Sequence, residues 1–304
     1  MIRHLKHNEI DKKKWDTCIT NAVNKIIYPY SWYLDIVCPS WEGLVKNDYE
    51  SIMPLTAGKK LGINYLYPPY FAQQLGVFSV KAITKQETEN FLNAIPVNYK
   101  FIEINLNSHN TFDLDDFKII KNKNIELSLN APYSTLYKKF SDDLKRNIKK
   151  ANKQGVYLKK NISPKEIVTI FRKNVGNKIT TLKNSHYKTL LALIELSKQK
   201  GFAEIWGGFS KEGNLCAGVV WIIQDTRAIF LFSATNKEAK KNGVMHFLIN
   251  TFIREHSEKE MTLDFEGSNL PTLARFYRGF GSSENIYLQI RKNNLSKLLH
   301  WIKG

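Results

Sequence analysis

The stretch "FAEIWGGFSKEGNLCAGVVWIIQDTRAIFLFSAT", residues 202–235, constrains the fold more than any other part of the chain. Three runs rich in Val, Ile, Phe and Trp are separated by the turn sequences "KEGN" and "QDTR", the pattern of three successive strands. "KKNGVMHFLINTFIREH" follows with helical apolar spacing, and "MTLDFEG" returns to a strand. Strands followed by a covering helix imply a mixed α/β layer.

The first half shows the same order. "EGLVKND" and "YESIMPLTA" read as a hairpin around Asn47 and Asp48, followed by the extended "INYLYPPYF". In "ITKQETENFLNAI", Thr84 and Glu87 form a capping box opening a helix, and "KFIEINL" is the next strand. Upstream, residues 8–25 read as helix, and "YPYSWYLDIVCPSW" as an aromatic turn with a short helix. Both halves thus run strand, strand, strand, helix, strand, with negligible sequence identity. The expected class is α/β (α+β): two similar modules in tandem, residues 1–130 and 131–304, each a mixed, mostly antiparallel sheet flanked by helices.

Composition bounds the partners. Hydrophobic residues make up 43% and aromatics 12% of 304 residues, enough for substantial cores. Lys and Arg number 45 against 28 acids, a net charge of +17, which attracts phosphates, nucleic acid or an acidic membrane surface. The 3 cysteines, Cys18, Cys38 and Cys216, lack metal spacing and suit reduced thiols. "MIRHLKHNEIDKKKWD" lacks a signal peptide's apolar run, and no apolar run approaches the ~20 residues of a membrane span. A cytoplasmic protein is expected, with peripheral contact to anionic lipid open to its basic face.

The most legible helix is 141–154, within "SLNAPYSTLYKKFSDDLKRNIKKANKQGV". Ser141 suits the N-cap, Asp142 and Asp143 complement the dipole, and Gly155 suits the stop. Leu144, Ile148 and Ala151 form an apolar stripe, while Lys145, Arg146, Lys149, Lys150 and Lys153 make the rest basic. Two readings stay open for that basic face: a solvated surface or a docking rail for phosphates. Ser163, Pro164 and Glu166 then form a second capping box, and "SHYKTLLALIELSKQKG" a helix ended by Gly201.

"LDFEGSNLPTLARFYRGFGS", residues 263–282, carries the densest chemistry. Leu263 and Phe265 alternate with Asp264 and Glu266, a half-buried strand with its acids on one face, and Gly267 and Ser268 stop it. Leu270, Leu273, Ala274 and Tyr277 recur at helical spacing, with Pro271 in the first turn and Gly279 and Gly281 at the end. Asp264 facing Arg275 or Arg278 suits either a structural ion pair or a substrate cleft. Tyr277 suits either a core aromatic or a proton donor.

Other chemistries lack their motifs. His4, His7, His109, His186, His246, His256 and His300 show no H-E-x-x-H spacing, and His246 is expected to pack or cap within its helix. No G-x-S-x-G elbow, Walker loop, G-x-G-x-x-G or zinc pattern occurs. No metal site is expected.

Helices over 164–200 leading into three antiparallel strands, a helix and a strand resemble the order of the Gcn5-related acyltransferases. "FSDDLKRNIKKANKQGV" is similar to the segment that opens the second module of the Fem family of non-ribosomal peptidyl transferases. "LDFEGS" with "FYRGFG" resembles the Asp-Phe-x-Gly and Phe-Lys-x-x-Phe-Gly pair closing it. "WYLDIVCPSWEGLV" and "YLYPPYFAQQLGVF" resemble the first module of Fem-like proteins from Bacteroidetes-type bacteria. The resemblance implies a tandem acyl-CoA N-acyltransferase (GNAT) fold and transfer of an acyl or aminoacyl group to an amine, as in cell-wall or peptide modification.

That resemblance implies an anionic cosubstrate, acyl-CoA or aminoacyl-tRNA, with no tightly bound cofactor, and an amine acceptor such as a peptide or cell-wall precursor. Lys240, Lys241, Asn242, Gly243 and Arg278 fall at the implied donor site. Glu266, Asp264 and Tyr277 are the candidates for proton transfer. Lys145, Arg146 and Lys149 are candidate anion contacts, and Tyr67, Tyr70, Gln73 and Gln74 a candidate acceptor groove. Two positions depart from the patterns. Met245 stands at the second small residue of the acyl-CoA turn, where it is expected to crowd a pyrophosphate, and Tyr277 stands where the Fem pattern has Lys. An acyl-CoA N-acetyltransferase acting on a small molecule or peptide and a non-catalytic protein binding an anionic partner are the alternatives.

Overall fold

The turn sequences at 202–235 do produce antiparallel strands, and they lie in the second of two units. The computed structural model describes residues 1–267 and 269–295; Ser268 and His300 lie outside them. The compact units are residues 1–122 with the strand residues from Ile286, and residues 123–285.

The first unit runs β1 (Ile2–Leu5), α1 (Lys12–Asn21), α2 (Ser31–Val37), β2 (Glu42–Lys46), β3 (Ser51–Leu55), β4 (Ala57–Lys60), β5 (Ile63–Leu66), β6 (Phe78–Ser79), α3 (Lys85–Asn93) and β7 (Tyr99–Asn105). Strands β1, β2, β3 and β6 form one sheet in that order, and β4, β5 and β7 lie side by side in another. Asn47 and Tyr49 take positive φ in the β2–β3 turn, as a tight connection requires. Leu44, Met53, Leu55, Phe91 and Ile102 pack the core. Thr84 caps α3 by accepting the Glu87 N–H at 3.1 Å, but the Glu87 carboxylate pairs with Lys46 at 2.6 Å instead of closing the expected box. An ammonium is the stronger partner for a carboxylate than a backbone N–H.

The second unit runs β8 (Lys118–Ser128, entering it at Lys123), α4 (Tyr133–Lys138), α5 (Asp142–Lys153), β9 (Tyr157–Lys160), α6 (Pro164–Asn174), α7 (Asn184–Gln199), β10 (Ala203–Phe209), β11 (Leu215–Gln224), β12 (Arg227–Thr235), α8 (Lys237–Asn242), α9 (Val244–His256), β13 (Thr262–Asp264) and α10 (Pro271–Arg278). Its sheet order is β8-β13-β12-β11-β10-β9, with β12 and β13 parallel and the other pairs antiparallel. Helix α9 lies close on the sheet because Gly208 has no side chain; a Cβ there would meet Val244 Cγ1 at 2.4 Å. Trp221 stacks on Phe252 at 4.0 Å, and Trp206 packs beside both. Each such buried aromatic contributes about 1.5–3 kcal/mol of burial.

Three expectations change. The helix expected through "KKNGVMHFL" breaks at Gly243, whose φ of +72° ends α8 before α9 begins. Ser163 makes no side-chain cap, because its own carbonyl already takes the Glu166 N–H at 3.1 Å. The units divide at 122/123 and 285/286 instead of 130/131, since the last strand, β14 (Ser283–Asn293), pairs with β7 from Gln289↔Asn105 to Asn293↔Phe101.

Candidate functional site

The two segments that carry the family resemblance meet. Ser141, the N-cap of α5, donates its backbone N–H to the Gly279 carbonyl at 2.9 Å, and Phe140 meets Phe280 edge-on at 5.4 Å. Gly281 has φ +75°, and a Cβ there would lie 2.7 Å from Lys139 Cβ. The start of α5 and one face of α10 thus wall a cavity of about 440 Å³, lined by Ser141, Asp143, His246, Thr272, Arg275 and Arg278.

A second cavity of about 260 Å³ opens between the end of β12, the α8–α9 break and α10. Ser233 and Thr235 come from β12, Lys240 from α8, Met245 and His246 from the first turn of α9, and Tyr277 from α10. Gly243 permits that break to sit against α5, for a Cβ there would come within 2.5 Å of the Asn147 carbonyl oxygen. Met245 is buried and faces this apolar cavity as one of its walls. Tyr277 stacks on Phe265 at 4.8 Å. Burial, helped by the Glu266 charge, pushes its phenol above the ordinary tyrosine range and keeps it protonated.

His246 and Phe276 belong to both cavities, their rings perpendicular with centroids 4.9 Å apart. The His246 Nδ1 is buried without a hydrogen-bond partner. Burial lowers the pKa of this imidazole, opposed by Asp143, so the ring is neutral.

No family model matches the chain, and no curated protein matches it. Solved structures do. The structure of FemX aligns with a TM-score of 0.68 at 12% identity, covering 99% of this chain and 100% of FemX. The chain has the FemX fold. A protein of unknown function from Bacteroides thetaiotaomicron aligns at 0.57 with 10% identity, covering 96% of this chain and 99% of its own. The C-terminal domain of a putative lysylphosphatidylglycerol synthetase from Agrobacterium fabrum aligns at 0.52 with 9% identity, covering 93% and 92%. The likeness implied by residues 140–156 and 263–281 therefore holds at the level of fold.

Within this FemX-type fold the expected carboxylates separate. Asp264 is 2% exposed and pairs with Arg227 at 2.5 Å, so the ion pair expected with Arg275 or Arg278 forms elsewhere. Burial drives the Asp264 carboxyl up while Arg227 pulls it down. Glu126 holds the same guanidinium at 2.7 Å. Arg278 pairs with Glu284 at 2.6 Å. Glu266, with φ +54°, is half-buried at the strand end beside Tyr277.

The basic face of α5 lines neither cavity. Lys145 sits over the Tyr137 ring at 5.8 Å, Arg146 pairs with Asp143 at 3.0 Å, and Lys149 is exposed. Lys241 is exposed and Asn242 half-buried at the α8 end, where only Lys240 of the three lines the smaller cavity. In the first unit, Tyr67 directs its hydroxyl to Cys38 Sγ at 3.7 Å, and buried Gln74 bonds Gln73 at 2.9 Å and the Ser108 N–H at 3.2 Å. Tyr70 is exposed beside Phe71.

His246, Ser141 and Thr272 were not singled out for chemistry by the sequence, and Arg275 only as a facing partner for Asp264. A local signal was available for two of these residues: Ser141 lies inside the first motif of the resemblance, and Arg275 immediately precedes "FYRGFG". Nothing local marks His246. No helix among the described residues is long and apolar enough to cross a membrane.

Proposed function

We propose that the chain is an acyl or aminoacyl transferase that moves the group from an activated ester or thioester to an amine. The observation that carries this reading is the smaller cavity, where a buried, protonated Tyr277 faces an apolar pocket at the α8–α9 break. The amine nitrogen attacks the acyl carbonyl, a C–N bond forms, and the C–O or C–S bond breaks. Tyr277 gives its proton to the leaving oxygen or sulfur, and Glu266 takes the proton lost by the amine and returns one to Tyr277. Asp264, bound to Arg227, supports the strand end that presents Glu266: its Oδ1 accepts the Glu266 N–H at 2.8 Å.

An aminoacyl ester is the favoured donor. One side of the α8–α9 turn is covered by Asn147, which supports an ester over a pyrophosphate-bearing thioester. The name of the Agrobacterium protein, a lysylphosphatidylglycerol synthetase, is itself that of an aminoacyl transfer. The net charge of +17 suits a nucleic-acid carrier and a peptide or cell-wall precursor bearing phosphate. The test is incubation with charged tRNA or with acyl-CoA, each beside peptide and amine acceptors, read by mass spectrometry. A product from charged tRNA supports the reading; a product from acyl-CoA alone transfers it to the thioester donor; no product from either leaves the fold as a binding protein.

A further inference from the structure

The larger cavity has a charge pattern that acyl transfer at Tyr277 does not use. Three charged side chains line it, and two are already matched. Asp143 is held by Arg146 at 3.0 Å, and Arg278 by Glu284 at 2.6 Å. Arg275 has no hydrogen-bond or ion-pair partner for its side chain among the described residues. Two hydroxyls converge on the same space. Ser141 Oγ accepts the Leu144 N–H at 3.3 Å, which leaves its own O–H free to donate, and Thr272 lines the wall from the first turn of α10. The inner wall is His246, whose buried Nδ1 lacks a partner. At about 440 Å³ the space exceeds a bare ion and matches a substituted one.

We infer that this cavity receives a phosphate ester, with Arg275 as its charged contact, Ser141 and Thr272 as hydroxyl donors and His246 as its inner wall. Guanidinium and hydroxyl donors around a cavity match the acceptor-only oxygens of a phosphate. The adjoining cavity shares His246 and Phe276 with it, so a ligand can place a phosphate on one side of that wall and a reactive group on the other. A bound anion also changes His246. The charged and titratable groups lining the two cavities that share His246 are Asp143 from α5, Lys240 from α8, and Arg275, Tyr277 and Arg278 from α10; Asp143 already favours the imidazolium, and an added phosphate charge acts in the same direction. Phosphate binding is therefore expected to raise the His246 pKa.

The inference deepens the donor reading under Proposed function, yet its test needs no acyl group, so either can fail alone. The protein, labelled in its histidines, is titrated with inorganic pyrophosphate and, separately, with a short single-stranded RNA. The imidazole signal assigned to His246 by its loss in His246→Gln is followed by NMR. Saturable shifts and a raised His246 pKa are expected; pyrophosphate alone indicates a small-molecule ester, and RNA a nucleic-acid one. Arg275→Gln weakens binding by about tenfold or more, the worth of a charge-assisted hydrogen bond. Lys149→Gln, on the exposed face of α5 that lines neither cavity, changes pyrophosphate binding by less than about twofold. Absence of any His246 response to millimolar concentrations of both probes overturns the inference, as does equal weakening of pyrophosphate binding by Lys149→Gln.

Discussion

Ser141 donates its backbone N–H to the carbonyl of Gly279 at 2.9 Å, which fixes the start of α5 to the end of α10. The stripe Leu144, Ile148 and Ala151 packs α5 into the core, and other contacts fix where the helix starts. Here three contacts do so: that hydrogen bond, the edge-on Phe140–Phe280 pair, and the approach of Lys139 to Gly281. Ser141 and Gly279, the two ends of that hydrogen bond, both line the larger cavity.

Gly281→Ala tests the junction against a matched control. Gly281 and Gly201 have φ of +75° and +78°, so alanine at either position is strained by about 1–2 kcal/mol. Only at Gly281 does the new Cβ also strike a neighbour, Lys139 Cβ at 2.7 Å; at Gly201 nothing lies within 4 Å. Gly281→Ala is expected to lose a further ~1–3 kcal/mol of stability by urea denaturation. Equal losses in the two variants would remove the junction from the account.

The buried ion cluster gives a second test. Asp264 lies directly opposite Glu126 across β13 and β8, an arrangement of like charges that Arg227 neutralises from β12. Arg227→Met leaves two carboxylates facing each other and is expected to cost about 3–5 kcal/mol. Arg227→Met with Asp264→Leu is expected to recover part of that loss. Simple addition of the single losses in urea titrations would count against the cluster.

This cluster also shows where sequence reading stops. Asp264 was legible as a strand-end acid, but its partner depends on the parallel register Ile229↔Asp264, which puts Arg227 on the neighbouring strand within reach. No spacing along the chain contains that information. Strands β10 to β12 were legible because their turns and apolar runs are local, and the Ser141 cap for the same reason. "KIIKNKNIELS" and "SENIYLQIRKN" form β8 and β14 although lysine and asparagine interrupt their apolar residues. For β14 the strand is secured by the distant β7. The Gly243 break was hidden because apolar spacing continues through it.

Acid titration of the first unit follows from Glu42. Burial disfavours this carboxylate, but Lys6, Tyr99 and His4 contact it at 2.8, 2.6 and 2.6 Å and hold its pKa below the ordinary range. A folded-state pKa below the unfolded value gives stability that is present above the unfolded pKa of about 4.3 and lost as pH falls through the folded one. Glu42→Gln is therefore expected to be less stable than the parent at pH 7, with the gap closing below pH ~4. A gap of constant size from neutral pH to pH ~3 would assign the loss to packing.

Tyr277→Phe separates chemistry from structure. Its ring is held by Phe265 and Phe230, contacts that phenylalanine keeps, so the melting temperature is expected to change little. If Tyr277 protonates the leaving group, the transfer rate falls by about 10²–10⁴-fold with donor binding retained. Unchanged turnover in the variant would dismiss Tyr277 as the acid.

The basic face of α5 yields the last test because it lines neither cavity. Lys149 and Arg146 are exposed, and Arg146 is tied only to Asp143, so replacing charge there removes little packing. If an RNA carrier lies along this helix, each phosphate contact contributes about −0.7 to the slope of log affinity against log salt on a single strand. The variant carrying Lys145→Gln, Arg146→Gln and Lys149→Gln is then expected to bind tRNA with a slope shallower by about 2. Pyrophosphate binding at Arg275 should persist, since that guanidinium sits on α10. A salt slope identical to the parent's would leave the face as solvated surface, and the carrier would have to contact the protein elsewhere.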